Sequence, residues 1–294
     1  MNKVYIGGTM TTLLSVQNLT KQFTDSRFFI NDVSFEVNAG EIVALIGKNG
    51  SGKSTLIRMI TGSYTVDSGQ INFFGKQVTP KDTVYKNDIG VVFDAMNFPK
   101  KMTILKLEKV FQALYQNWDS NYFFNLIKQF ELPAGQLVKD FSRGMSMKLI
   151  MAAALSHETK LLILDEATAG LDAASRDEIQ EEIEKFVHQQ QHGVLLTSHI
   201  AEDIERLATH LIFIKNGEIF AKIEKKDLFE HYSIVKCEQA EFDKLEYDDV
   251  LAAKEHLGEI EAVVIHNART AQLPLQPIQH IDEVNKIILR GEYR

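Results

Sequence analysis

Gly47-Lys48-Asn49-Gly50-Ser51-Gly52-Lys53-Ser54-Thr55 matches the pattern G-x-x-x-x-G-K-[ST] at every fixed position. It follows an apolar run, Ile42, Val43, Ala44, Leu45 and Ile46, and precedes Leu56, Ile57, Met59 and Ile60, whose spacing is helical. Strand, glycine-rich turn and helix are the setting in which this pattern cradles phosphate. Gly47, Gly50 and Gly52 have no Cβ, so backbone N–H groups can turn inward around an anion that side chains would hold off. The helix beyond Gly52 adds the positive end of its dipole. In such a loop Lys53 reaches the β- and γ-phosphates and the Ser54 hydroxyl ligates Mg²⁺. A glycine-rich hairpin would explain neither the Lys53-Ser54 pair nor the flanking strand and helix. Gly47, Asn49, Gly50, Ser51, Gly52, Lys53, Ser54 and Thr55 are therefore candidate nucleotide-binding residues.

Phosphoryl transfer from a nucleoside triphosphate needs Mg²⁺ held, charge neutralised and a water aligned, with little covalent help from protein. The wholly apolar run Leu161 to Leu164 ends in Asp165 and Glu166, which can supply those parts. Asp165 can hold Mg²⁺ directly or through water, and Glu166 can polarise a water for attack on the γ-phosphate. Such a pair also ends many strands without any chemistry, and it gains weight from the complete phosphate loop upstream. His199 follows the strand Val194 to Thr197; it can hydrogen-bond the γ-phosphate or be structural, and spacing leaves both open. Lys53, Glu166 and His199 are the candidate catalytic residues.

Around these motifs the pattern alternates. Residues 13 to 37 read as two strands joined by a turn at Thr24 to Arg27, and Ile71 to Phe74 and Ile89 to Phe93 as two more, the last ending at Asp94. From Met102 to Leu132 the period becomes helical, with Asp119 and Ser120 as N-cap candidates; its many aromatics fit a core face better than a partner surface. Helices are expected over Ser142 to Ser156, over Ala173 to about Gln190, and from His199 through Leu207. Leu211 to Lys215 and Glu218 to Ile223 form a hairpin around Asn216-Gly217. Strands alternating with helices predict a largely parallel, helix-covered α/β sheet with antiparallel additions. From Glu224 onward there are 15 acidic and 9 basic residues, a net of −6. That tail contains Val263 to Ile265 and Ile287 to Leu289, both read as strands, and predicts a small α+β appendage.

The totals narrow the function classes. A chain of 294 residues, 45% apolar and 24% charged, has material for a large core and a second unit. No apolar run approaches the roughly 20 residues that cross a bilayer, and the N-terminal stretch lacks the composition of a secretory leader. The single cysteine, Cys237, fits a reducing compartment. A formal charge of −8 argues against nucleic acid as a partner.

Gly47 to Thr55, Phe141-Ser142-Arg143-Gly144-Met145, Leu161 to Glu166, Ala169-Gly170-Leu171-Asp172 and Thr197-Ser198-His199 stand in one order and spacing. In this the chain resembles the ATP-binding cassette (ABC) ATPases over roughly residues 13 to 222. Gln116-Asn117-Trp118-Asp119 and the run Ser142 to Lys148 look like one bacterial branch, the ATPase subunits of drug, lantibiotic and peptide exporters with separately encoded membrane subunits. The resemblance implies a P-loop fold of ABC type: a mainly parallel core, an antiparallel β subdomain, and a helical subdomain at about 95–158. Residues 223–294 would then be an accessory unit for dimerisation or regulation, although their acidity equally fits a solvated face.

The resemblance further implies a head-to-tail homodimer that closes on two Mg·ATP, each held by one subunit's phosphate loop and by the other's Ser142 and Gly144, with Asp172 nearby. It implies a transmembrane permease partner and a cytoplasmic place on the inner face of the plasma membrane. Phe23 sits where the family stacks adenine, with an ordinary core role and Phe28 as rivals. Asp94 stands at the family's usual glutamine, where an acid still binds metal or water. Arg143 and Met145 replace a glycine and a glutamine, and Ala167 a proline. A soluble non-transport ABC ATPase, for instance in cluster assembly, and a nucleotide-gated regulator are the competing functions.

Overall fold

The computed structural model describes residues 11–23, 28–79, 81–95, 98–189, 191–256 and 258–291. The turn expected at Thr24 to Arg27 lies outside them. The first strands are β1 (Thr12–Gln22), β2 (Phe29–Asn38) and β3 (Ile42–Ile46), and helix α1 (Lys53–Ile60) follows the glycine-rich loop. Next come β4 (Ser68–Phe73), β5 (Lys76–Gln77), β6 (Ile89–Val92) and helices α2 (Ile104–Leu114), α3 (Ser120–Gln129) and α4 (Arg143–Leu155). The alternation resumes with β7 (Leu161–Asp165), α5 (Ala173–His188), β8 (Gly193–Thr197), α6 (Ala201–Leu207), β9 (His210–Lys215) and β10 (Glu218–Glu224). The last part holds α7 (Lys225–His231), β11 (Tyr232–Cys237), α8 (Gln239–Phe242), β12 (Val250–His256), β13 (Glu259–Ile265), β14 (Gln276–Pro277) and α9 (Ile281–Arg290).

The central six-stranded sheet runs β10-β9-β3-β8-β7-β6, parallel except for the β9–β10 hairpin. Both faces of its middle strands are covered, which is why they read as unbroken apolar runs. Alternate residues serve two cores. Ala44, Leu162, Leu196 and Phe213 face the helices α2 to α6, while Val43, Ile163, Leu195 and Ile212 face the antiparallel sheet β2-β1-β4-β5 and helix α1. At the hairpin tip Asn216 and Gly217 both have positive φ, 51° and 80°, as a two-residue turn of the strands' own twist requires. Gly217 N donates to Ser51 O at 3.0 Å, so this tip braces the glycine-rich loop.

The tail builds a third sheet, β12-β13-β11-β14, antiparallel throughout. Ile287 to Leu289, expected as a strand, lies inside helix α9. The run of three aliphatics misled because its partners sit at helical spacing: Ile281, Val284, Ile287 and Ile288 form one buried face. His280 and Glu283 close a capping box at the start. That face joins the large core of the central sheet, packing with Ile204, Leu207 and Val263. Among the described residues no helix is long and apolar enough to cross a membrane.

Candidate active site

The parallel strands end on one side of the sheet, and the loops that follow them converge there, as open α/β sheets arrange their ligand sites. A cleft of about 430 Å³ is lined there by Asn49, Gly50, Gly52, Lys53, Ser54 and Thr55 of the glycine-rich loop, with Phe28, Asp94, Arg143, Glu166, Ala169 and His199. Gly52 stands at φ 115°, a backbone state closed to residues with a Cβ, and it caps α1 without a side-chain hydrogen bond. The first-turn N–H groups of α1 therefore have no side-chain cap, and Lys53, Ser54 and Thr55, which open the helix, line the cleft; an uncapped helix start is a ready anion seat.

Lys53 is buried, and its Nζ folds back on the loop to donate to Gly47 O at 2.8 Å and Lys48 O at 3.3 Å. Burial pushes its ammonium down from the ordinary lysine value, while Glu166 and Asp165 pull the other way. A phosphate would give this desolvated cation the counter-charge that two carbonyls supply only in part. Ser54 Oγ donates to Asp165 Oδ1 at 3.0 Å across the space between α1 and β7. A hydroxyl and a carboxylate held together are the oxygen set that suits Mg²⁺, and Asp94, exposed just beyond β6, lines the same cleft.

Register places Asp165 directly beside Thr197 on the neighbouring strand. Thr197 Oγ1 donates to Asp165 Oδ1 at 2.8 Å and accepts from Glu166 N at 3.0 Å, so one hydroxyl orients both acids. Glu166 itself is left-handed, φ 54°, a strained state for a residue with a Cβ. The turn swings its carboxylate out of the strand direction, and Oε2 lies 2.6 Å from His199 Nδ1. A base oriented by a second group is the arrangement that activates a nucleophilic water.

Nine of the sequence candidates, Asn49, Gly50, Gly52, Lys53, Ser54, Thr55, Asp94, Glu166 and His199, line this cleft. Gly47, Ser51 and Asp165 stand just behind it: Gly47 through its carbonyl to Lys53, Asp165 through Ser54, and Ser51 buried with an unpartnered Oγ. Phe23 does not line it. Phe28 does, with Phe23 behind it at a ring-centroid distance of 6.1 Å. Ser142, Gly144 and Asp172 do not line it either. Ser142 caps α4 by accepting from Met145 N at 3.2 Å, and Asp172 caps α5 by accepting from Ser175 N at 3.0 Å. Sequence reasoning gave no site role to Thr197, Ala169 or the side chain of Arg143. The hydroxyl that ends β8 was a signal for the first only once strand order was known.

A family model described as ABC transporter matches residues 30–169. The lantibiotic transport ATP-binding protein SrtF of Streptococcus pyogenes is 33% identical over 216 residues, 72% of this chain and 91% of that protein. The Nod factor export ATP-binding protein I of Neorhizobium galegae is 32% identical over 258 residues, 85% of this chain and 73% of that protein. A solved ATP-binding subunit of an ABC transporter superposes with a TM-score of 0.68 at 28% identity, over 74% of this chain and 92% of the other. An ABC transporter cassette in its ADP conformation does so at 0.62 and 25% identity, over 74% and 94%. With that fold, that cleft and relatives of such identity matched over most of their length, this chain belongs to the ATP-binding proteins of the ABC transporter family, and it is an ATPase.

Proposed function

We propose that this chain binds and hydrolyses Mg·ATP in the cleft around Lys53 and thereby powers export of peptide or drug molecules through a separately encoded transmembrane subunit. The observation that carries this is one convergence: the buried Lys53, the Ser54–Asp165 pair and the Glu166–His199 pair all meet at one set of strand ends. Lys53 and the α1 N-terminus would hold the β- and γ-phosphates. Ser54 and Asp165, with Asp94, would hold Mg²⁺, which spreads and neutralises phosphate charge. Glu166 would take the proton of the attacking water, with His199 fixing its carboxylate. Two relatives carry transport or export in their names, for a lantibiotic and for Nod factor, and we extend that role to this chain.

Ser142, Gly144 and Asp172 sit outside their own chain's cleft, and we assign them to the nucleotide of a second copy in a head-to-tail homodimer. The permease would hold the assembly on the cytoplasmic face of the membrane. A Lys53→Ala protein is expected to bind ATP about tenfold to a hundredfold more weakly, the worth of a hydrogen bond to a charged group. Titration with a fluorescent ATP analogue checks this, and unchanged affinity would remove the cleft assignment.

Residues 223–294 we assign to regulation in cis. Lys48 of the phosphate loop donates to Leu289 O at 2.7 Å, and Lys215 to Gly291 O, so two lysines cap the C-terminal end of α9. Glu205 of α6 holds its start, accepting from Ile281 N at 2.7 Å. The appendage thus restrains both the phosphate loop and the segment that follows His199. Lys48→Met is expected to raise basal ATP turnover about threefold, the equivalent of a helix-end contact, measured by phosphate release; an unaltered rate would make the appendage a passive cover.

A further inference from the structure

Of residues 142 to 145 only Arg143 lines its own chain's cleft. It is the first residue of α4, immediately after the capping Ser142. Its Nε–H donates to Ala169 O at 2.6 Å, and Ala169 N in turn donates to Glu166 O at 3.1 Å. The side chain passes close to Gly170, which has φ 69°; a Cβ there would stand 3.2 Å from Nε. One residue on, a Cβ at Gly144 would meet Ser175 Oγ at 2.6 Å, and that hydroxyl is itself bonded to Asp172 at 2.8 Å. The N-terminus of α4 and the turn that leads away from Glu166 are therefore locked at two adjacent points, each relying on a missing Cβ. An arginine that only decorated the surface would need neither the short charge-assisted bond nor the glycine beneath it.

We propose that Arg143 is a positioning residue for Glu166: it fixes the turn 169–172 that sustains the left-handed backbone of Glu166, and so makes the aim of that carboxylate depend on where the Ser142–Met145 tip sits. The inference rests on Glu166 being the base proposed above. Glycine at position 143 would leave the turn free, so the coupling is written into this side chain. A tip drawn toward a nucleotide would pull on Glu166 through a chain of two hydrogen bonds, Arg143 to Ala169 and Ala169 to Glu166.

The full-length protein tests this through steady-state turnover against ATP concentration for Arg143→Met, Arg143→Lys and Glu166→Gln. Methionine keeps the apolar stem without a donor, and lysine brings a donor that still reaches Ala169 O. Arg143→Met is expected to lower kcat about tenfold with KM for ATP and the melting temperature unchanged, and Arg143→Lys to recover to within about threefold of the parent. A parental kcat in Arg143→Met, a loss confined to KM, or no recovery by lysine each overturns the proposal. Glu166→Gln separates the two levels: at parental turnover it removes both readings, whereas an inactive Glu166→Gln beside a parental Arg143→Met removes only the latch.

Discussion

A Glu166→Gln protein is expected to bind Mg·ATP as tightly as the parent and to turn it over about 10² to 10⁴ times more slowly, the usual worth of a positioned general base. The amide keeps the shape of the side chain and its reach to His199 Nδ1, now 2.6 Å away, but it cannot take a proton from water. Nothing in the phosphate seat changes: Lys53 remains on Gly47 O, and Ser54 on Asp165. The effect should therefore fall on kcat alone, and single-turnover measurements should place it in the chemical step. Affinity and turnover lost together would mean that Glu166 holds the nucleotide rather than activating the water. Turnover at the parental rate would end the assignment of Glu166 as base.

The largest stability loss from a single change is expected at Asp203, which has no part in binding phosphate. This carboxylate on α6 is 1% exposed and gathers three segments. It accepts from Arg176 Nε at 2.5 Å and Gln180 Nε2 at 2.7 Å on α5, from Thr168 Oγ1 just after Glu166, and from Ser198 Oγ at 3.4 Å just before His199. Asp203→Ala strands those donors in the interior, and breaking a buried pair from one side costs about 3 to 5 kcal/mol. For a chain of this size that lowers Tm by roughly 10 °C, which calorimetry would read directly. By contrast, the exposed pair Arg206–Asp177 contributes at most about 1 kcal/mol. Turnover should fall too, because the loops carrying Glu166 and His199 lose their common anchor. A Tm within a few degrees of the parent would mean that solvent reaches the network and that Asp203 is not its keystone.

Much of this fold is legible in the amino-acid sequence. The glycine-rich loop announces itself because the pattern is local: Gly50, Gly52, Lys53 and Ser54 fall within one turn and the start of its neighbouring helix and line one cleft, so their order along the chain is nearly their order in space. The central strands were legible because burial on both faces forces unbroken apolar runs, as in Ile42 to Ile46 and Leu161 to Leu164. The helices α2 and α3 were legible from their period, and Asp119 was rightly placed as a cap, accepting from Tyr122 N at 2.9 Å.

Sequence alone therefore determined the α/β core and the ATPase class and put Asp165 and Glu166 forward as candidate acids, since each depends on neighbours a few residues apart. Tertiary structure decided everything set by strand order and docking. It put Thr197 beside Asp165, brought Phe28 rather than Phe23 to the cleft, and carried Arg143 across Gly170 to the turn beyond Glu166. It also turned Ile287 to Leu289 into a helix, because a docking face on the central core buries four aliphatics at helical spacing where a strand would bury alternate ones. Contacts between residues far apart in the chain leave no periodic mark on it, and only the packed sheet brings them into register.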